Sequence, residues 1–370
     1  MSIKVIQLFH SFPLFYQPYL MSVVDRLDAQ DDLDFNVVHF HGTSRTNAIK
    51  VPGYYKRRVY ERLQNIYNKQ PLKLNYMEQY CLKEQVDVLH VMDSFLFPKV
   101  LNLLELAANK RPKVIVTMRG DDTYVKPLLY DKWKLFYKEQ ANKIDAFIAM
   151  STQQKKQLIK LGVEASKVNV IPISFKPSQV TPKIKPDPNE IRITSAFRFV
   201  WEKNIDGNLR VIKFLKESGY KVRYQLFGSG HRIKELMFFI EKYDISDCVV
   251  LKGKMPYQEL MTGLLESDFY LQLSHSESLG MSVIEAQSLG LPAIISNAGG
   301  LPETIVPGKS GYCVDAWDAA QAAKYIIDLW KNPSNYASFS KNGMVHSHEN
   351  FTVDKEVDAL NALYTKLLIP

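Results

Sequence analysis

The chain has 370 residues, about twice the usual length of one domain, and is 46% hydrophobic, 12% aromatic and 23% charged, which excludes a disordered or fibrous protein and points to two globular domains. Its three cysteines, Cys81, Cys248 and Cys313, stand far apart with no CxxC pattern and no Cys/His cluster, which excludes a disulfide framework or thiolate metal site and favours a reducing compartment. The net charge is +8, and all of the excess lies in residues 1–175, with 25 Lys and Arg against 17 Asp and Glu, so that half is expected to meet something anionic.

Taken in order, the predicted strands of the first half are 3–8, 35–40, 86–91, 113–118, 145–149 and 168–173. Those of the second half are 191–196, 221–227, 248–251, 268–273, 292–296 and 311–314. Most are near-continuous apolar runs, the pattern of strands covered on both faces. Helical stretches such as 152–161, 208–218 and 319–331 fall between them, so the fold class is α/β, with a doubly wound, Rossmann-like parallel sheet in each half. Residues 174–190 hold four prolines without periodicity, which sets a linker at 176–190 between domains 1–175 and 191–350. The segment 351–366 reads as an amphipathic helix opened by Thr352. Two such domains are expected to leave a cleft facing the carboxyl ends of both sheets. No apolar run approaches the ~18 residues of a membrane span, and the opening MSIKVIQLF is too short for a signal peptide. The expected location is the cytoplasm.

The stretch 268–304, DFYLQLSHSESLGMSVIEAQSLGLPAIISNAGGLPET, carries the most chemistry. A strand ending near Leu273 runs into a polar loop, and a helix follows from about Met281 to Leu289, stopped by Gly290 and Pro292. The N–H groups at the start of that helix, beside Gly280, suit a phosphate. Glu277 precedes the helix and Glu285 lies one turn inside it. A carboxylate beside a diphosphate is unfavourable unless sugar hydroxyls donate to it, so two of them point to a nucleotide joined to a sugar.

Glu277 to Glu285, with Ala286, Gly290, Pro292, Gly299, Gly300, Pro302 and Glu303 around them, resembles the E-x7-E signature of the retaining family 4 glycosyltransferases of GT-B fold. Upstream, AFRFVWEKN at 196–204 resembles that family's G-R-x-x-x-x-K-N segment, with Ala196 and Phe197 where a glycine is usual and Trp201 where proline is common. The resemblance implies Arg198 and Lys203 as the cations on the donor diphosphate, a fork and a point charge against two phosphates. It implies Glu277 on the transferred sugar and Glu285 on the ribose diol, with Ser278, Leu279, Gly280 and Met281 presenting backbone to the donor. Phe227-Gly228-Ser-Gly230 resembles the family's G-x-G turn, the alternative being a tight strand–helix connection, and Lys254 falls in the loop that lies against the nucleobase. A UDP-sugar is expected before a GDP-sugar.

In the first half, Thr117-Met-Arg119-Gly120-Asp121-Asp122 stands where relatives have His-Gly-x-Asp, so Arg119 replaces the histidine and Asp122 matches. A permanent cation there can hold an anion but cannot shuttle a proton at neutral pH. His10 and Phe12, in a segment running to Leu20, resemble the opening acceptor loop of bacterial polysaccharide and lipopolysaccharide transferases, with aromatic packing as the alternative. The resemblance implies no metal, no cofactor and a C-terminal helix crossing back onto the first domain. Expected partners are a nucleotide-sugar donor and a saccharide or polyprenyl-linked acceptor.

Between residues 50 and 76 stand seven cations, Lys50, Lys56, Arg57, Arg58, Arg62, Lys69 and Lys73, against the single acid Glu61, with Tyr54, Tyr55, Tyr60, Tyr67 and Tyr76 interleaved. This composition suits docking on an anionic membrane surface, with an exposed, solvated helix face as the alternative. It would also suit single-stranded nucleic acid, but nothing elsewhere resembles a nucleic-acid module, so no nucleic-acid partner is expected. An epimerase would lack the E-x7-E context, and no G-x-G-x-x-G follows the first strand of either half to support a dehydrogenase. A non-catalytic sugar-nucleotide-binding subunit stays open as a rival.

Overall fold

The computed structural model describes residues 2–13, 19–43, 48–67, 73–177 and 180–369. The chain divides into two compact units, Met1–Ser174 with Val353–Pro370, and Phe175–Thr352. Each is built on one parallel sheet. In the first unit the strands are β1 Ile3–Ser11, β2 Leu33–His41, β3 Ala48–Lys50, β4 Val88–Val91, β5 Lys113–Thr117, β6 Ala146–Ala149 and β7 Val168–Val170. Their order is β3-β2-β1-β4-β5-β6-β7. The strands β4 and β6 are buried at every residue, which is why β6 reads as an unbroken apolar run and β4 as one broken only by His90. The three-residue β3, which the composition does not announce, pairs with β2 through Val37↔Ala48 to His39↔Lys50.

The second unit carries β8 Ile191–Ala196, β9 Val222–Phe227, β10 Val249–Gly253, β11 Phe269–Gln272, β12 Ala293–Ser296 and β13 Gly311–Val314, in the order β10-β9-β8-β11-β12-β13. All neighbouring pairs are parallel. The strand order reverses between β8 and β11, which lie side by side in the register Phe269↔Ile193 and Tyr270↔Thr194. Loops leaving the C-terminal ends of those two strands therefore start next to each other, at the point where open α/β sheets bind ligands. In the first unit the same reversal falls between β1 and β4.

The C-terminal helix Val353–Leu368 belongs to the first unit, although the whole second unit precedes it in sequence. Its buried face is Val357, Leu360, Leu363 and Tyr364, a 3–4 spacing. The Tyr364 hydroxyl reaches His90 Nδ1 at 2.8 Å and accepts from Gln7 Nε2 at 3.3 Å, while His90 Nε2 lies 2.7 Å from Thr117 Oγ1. Burial and the Arg119 charge push the His90 pKa down to about 3, so the ring is neutral and polar only through these bonds. Glu356, on the same helix, accepts from the Ser174 N–H at 2.7 Å, and burial raises its pKa. Among the described residues no helix is long and apolar enough to cross a membrane.

Candidate functional site

Two connections leave the reversal point of the second sheet. After β8 the chain passes Phe197, Arg198 and Phe199 to a short turn, Trp201–Lys203, and enters the helix Ile205–Glu217 through Asn204. After β11 it forms the loop 273–280 and enters the helix Met281–Ser288, whose N-cap Gly280 supplies no side chain to the first turn. Buried Asn208 fastens the two connections together. Its amide nitrogen donates to the carbonyls of Lys203 (2.9 Å) and Asn204 (2.8 Å), and its oxygen accepts from the Leu273 N–H at 3.0 Å. The Glu202 carbonyl accepts from the His275 N–H at 2.7 Å, and the His275 ring stacks on Trp201 (6.4 Å) and tilts against Trp317 (4.6 Å).

This frame brings Lys203 and Glu277 together as an ion pair, with both side chains largely shielded. Glu277 Oε1 also accepts from Gln272 Nε2 at 2.6 Å and from Ser274 Oγ at 3.3 Å. Gln272, fully buried at the end of β11, accepts in turn from Ser282 Oγ at 3.0 Å and meets the Tyr270 hydroxyl at 3.1 Å. The carboxylate thus has one cation and two neutral donors, and the network reaches the first turn of the helix behind it. Behind the loop, the Gly300 N–H donates to the Glu277 carbonyl at 3.0 Å, and a Cβ on Gly299 would stand 1.9 Å from that oxygen. Only glycine admits this approach, which is the physical reason for Gly299.

Arg198 is exposed at the end of β8 and makes no ion pair among the described residues. Its loop is clasped by the 228–230 turn: the Phe197 and Phe199 N–H groups donate to the carbonyls of Phe227 (3.1 Å) and Ser229 (2.9 Å). A Cβ on Gly228, whose φ is +135°, would meet the Phe197 oxygen at 1.9 Å. Gly228 thus supports the arginine's loop, the role of a tight connection. Ser278 and Met281 are partly exposed, while the Leu279 side chain is buried, so Leu279 could offer a donor only its backbone. Lys254 is exposed just past β10.

Glu285 is buried in the helix Met281–Ser288, and burial pushes its carboxyl up to about 7, partly opposed by a hydrogen bond from Tyr257. Burial, and after it the Glu285 carboxylate, raises the Tyr257 phenol.

In the first unit the residues assigned to the acceptor divide. His10 is half-buried at the end of β1, its N–H donating to Asp93 at 2.8 Å and its ring beside His41 (4.8 Å) and Phe95 (5.3 Å). The register Phe9↔His39 and Ser11↔His41 brings these histidines together. Phe12 is withdrawn from the acceptor set: it is buried, 4.8 Å from Phe9, and contributes to packing. Residues 14–18 of that loop lie outside the described residues. Asp122 is likewise taken up by its own turn. It is buried and accepts from Ser94 Oγ, from the N–H groups of Arg119 (2.9 Å) and Gly120 (3.0 Å), and from Thr123 Oγ1 (3.0 Å). Arg119 Nε donates to the Met92 carbonyl at 3.3 Å, and the guanidinium acts electrostatically on both His90 and Glu356. Among the described residues no three His, Cys, Asp or Glu side chains gather as a metal set.

The basic stretch contains the helix Tyr54–Tyr67, with Lys69 outside the described residues. Arg57 does not share the exposed face with Lys56 and Arg58, because its guanidinium lies over the Phe40 ring at 5.2 Å.

The model of the Glycosyltransferase Family 4 matches residues 27–175, and that of Glycosyl transferases group 1 matches 179–346, so the two together take in most of the chain. The amylovoran biosynthesis glycosyltransferase AmsK of Erwinia amylovora is 26% identical over 59% of this chain and 55% of its own. The putative colanic acid biosynthesis glycosyltransferase WcaL of Escherichia coli is 25% identical over 58% and 55%. The matched part is thus little more than half the length of these curated relatives. Among solved structures, a variant of S. aureus TarM in complex with Fondaparinux, alpha-GlcNAc-glycerol and UDP superposes with a TM-score of 0.74 over 98% of this chain and all of that one, at 15% identity.

Proposed function

Because the chain belongs to the glycosyltransferases, with a family 4 domain followed by a group 1 domain in a GT-B fold, we propose that it is a retaining, metal-independent enzyme that moves a sugar from a UDP-sugar to a saccharide hydroxyl. The acceptor is a lipid-linked or growing glycan of a cell-surface polysaccharide, met at the cytoplasmic face of an anionic membrane. The observation that carries this reading is the Lys203–Glu277 pair, fixed where the second sheet reverses and backed by the Met281–Ser288 helix. The UDP in the TarM variant complex supports the choice of base, and the names of the two bacterial relatives support the acceptor class.

In this reading Arg198, Lys203 and the first N–H groups of the Met281–Ser288 helix face the diphosphate, and Glu285 takes the ribose diol. Glu277 accepts from hydroxyls of the transferred sugar. The bond from the anomeric carbon to the diphosphate oxygen breaks, and the acceptor oxygen bonds to that carbon on the same face. The acceptor's proton passes to the departing diphosphate. The protein's contribution is position and fixed charge against the negative charge that grows on the leaving group. A thermal-shift screen of UDP, GDP, ADP and their sugars tests the donor, since a ligand of the native state raises Tm. UDP and a UDP-sugar are expected to stabilise; a response to GDP alone would reassign the base, and no response to any nucleotide would remove the activity. Proton NMR of the first-formed product is expected to show the donor's anomeric configuration, and an inverted product would refute the same-face route.

A further inference from the structure

The helix Tyr54–Tyr67 is turned inside out relative to an ordinary surface helix. Its polar side faces its own domain: besides Arg57 over Phe40, Glu61 Oε1 accepts from the Tyr76 N–H at 3.0 Å, and Asn65 exchanges hydrogen bonds of 2.9 and 3.1 Å with Leu74. Its apolar side faces outward. Tyr55, Val59, Leu63 and Ile66 stand at i, i+4, i+8 and i+11, one stripe along the helix, and are 84, 59, 61 and 66% exposed. Exposed Lys56, Arg58 and Arg62 border or interrupt the stripe, with Arg58 6.0 Å over the Tyr54 ring. The helix's single acid, Glu61, is engaged on the inner side.

We propose that this stripe inserts at the boundary between headgroups and acyl chains of an anionic bilayer, with Lys56, Arg58 and Arg62 among the lipid phosphates. The proposal deepens the membrane-side reading above by adding a penetrating apolar contact to the electrostatic one. A helix with an apolar stripe and a cationic border lies in the interface plane, its Lys and Arg stems reaching back to the headgroups. A second copy of the chain is the rival cover. Two such faces brought together would oppose Lys56, Arg58 and Arg62 of both copies with no acid between them.

Sedimentation with equimolar phosphatidylglycerol–phosphatidylcholine vesicles, against phosphatidylcholine alone, tests the proposal without any substrate. The full chain is expected to bind the anionic vesicles at low salt. Lys56→Ser/Arg58→Ser should weaken partitioning about 25-fold, roughly fivefold for each cation. Val59→Ser/Leu63→Ser leaves every charge unchanged and should weaken it about tenfold or more, through the lost apolar burial. Ile66→Trp should gain a blue-shifted emission quenched by brominated lipid. All these positions are exposed, so each variant should keep the wild-type Tm shift with UDP. Failure of vesicle binding with an intact UDP response would strike this proposal alone, whereas a lost UDP response would strike the donor reading. Wild-type binding by Val59→Ser/Leu63→Ser would overturn insertion. No binding by the wild type at low salt would overturn docking. A dimer dissociated by Leu63→Asp would assign the stripe to a second copy.

Discussion

Gln272→Leu keeps a buried stem of similar size in β11 but deletes the amide nitrogen that donates to Glu277 Oε1 at 2.6 Å and the oxygen that accepts from Ser282 Oγ at 3.0 Å. Glu277 then retains Lys203 and Ser274, and the Tyr270 hydroxyl retains its bonds to the Ala196 backbone at 3.2 Å. A hydrogen bond to a charged acceptor contributes about 1.5–3 kcal/mol. If the position of Glu277 is required in the transition state, that loss lowers kcat/KM by roughly ten- to a hundredfold. The expected UDP affinity falls far less than kcat/KM, because Gln272 reaches the nucleotide's cradle only through the Ser282 side chain, while the helix's first N–H groups are backbone. Initial rates of UDP-sugar turnover, with calorimetric UDP binding as the control, separate the two. Gln272→Glu distinguishes positioning from packing. Two carboxylates at this distance cannot both ionise, so the pair holds a proton and the acid form donates to Glu277 as the amide does. Its activity should return as pH falls, on a profile displaced from that of the wild type. A folded Gln272→Leu variant with wild-type kcat/KM, or a Gln272→Glu variant with the wild-type pH profile, would refute the reasoning.

Burial holds the Glu285 carboxyl near pH 7, whereas ribose hydroxyls donate to its ionised form, so UDP affinity should rise with pH through about 7 and Glu285→Gln should remove that step in calorimetric titrations. In the unliganded protein the native state keeps a proton that the unfolded chain releases near 4.5, so this group's stabilisation is complete below that pH and disappears as pH rises through 7. Tyr364→Phe removes a partner from buried His90 and Gln7 and should cost about 1–3 kcal/mol in urea denaturation; an unchanged midpoint would show that the crossover helix is held by apolar packing alone. With Arg198 and Lys203 assigned to the diphosphate, turnover should persist in excess EDTA, and loss restored by Mg²⁺ or Mn²⁺ would contradict that assignment.

The two sheets were legible because strands buried on both faces leave continuous apolar runs, and β5 and β6 stand out for that reason. The E-x7-E helix was legible from its glycines, since Gly280 and Gly290 mark its two ends. Side-chain direction was not. Phe12 and Asp122 sit among functional-looking neighbours, yet one fills the core and the other folds its own turn, and local sequence does not say which way a loop residue points. Arg57 lies within a run of cations but turns inward because the helix rotates it by 100° from Lys56. Gln272 left one usable signal, a polar side chain in the buried strand FYLQ, where an unpartnered amide would be costly. Asn208 left less, because two of its bonds are local and the third reaches Leu273, 65 residues away in sequence.

Calorimetric titration of UDP into the wild type, Arg198→Ala and Lys203→Ala tests the donor site most directly. Each charge-assisted contact to a phosphate contributes about 1.5–3 kcal/mol, so either variant is expected to bind UDP roughly ten- to a hundredfold more weakly while remaining folded, with the Tm of the free protein unchanged in Arg198→Ala and lowered in Lys203→Ala, which leaves the shielded Glu277 carboxylate without its cation. Wild-type affinity in both would contradict the assignment of the site after β8 and β11 to a nucleotide diphosphate.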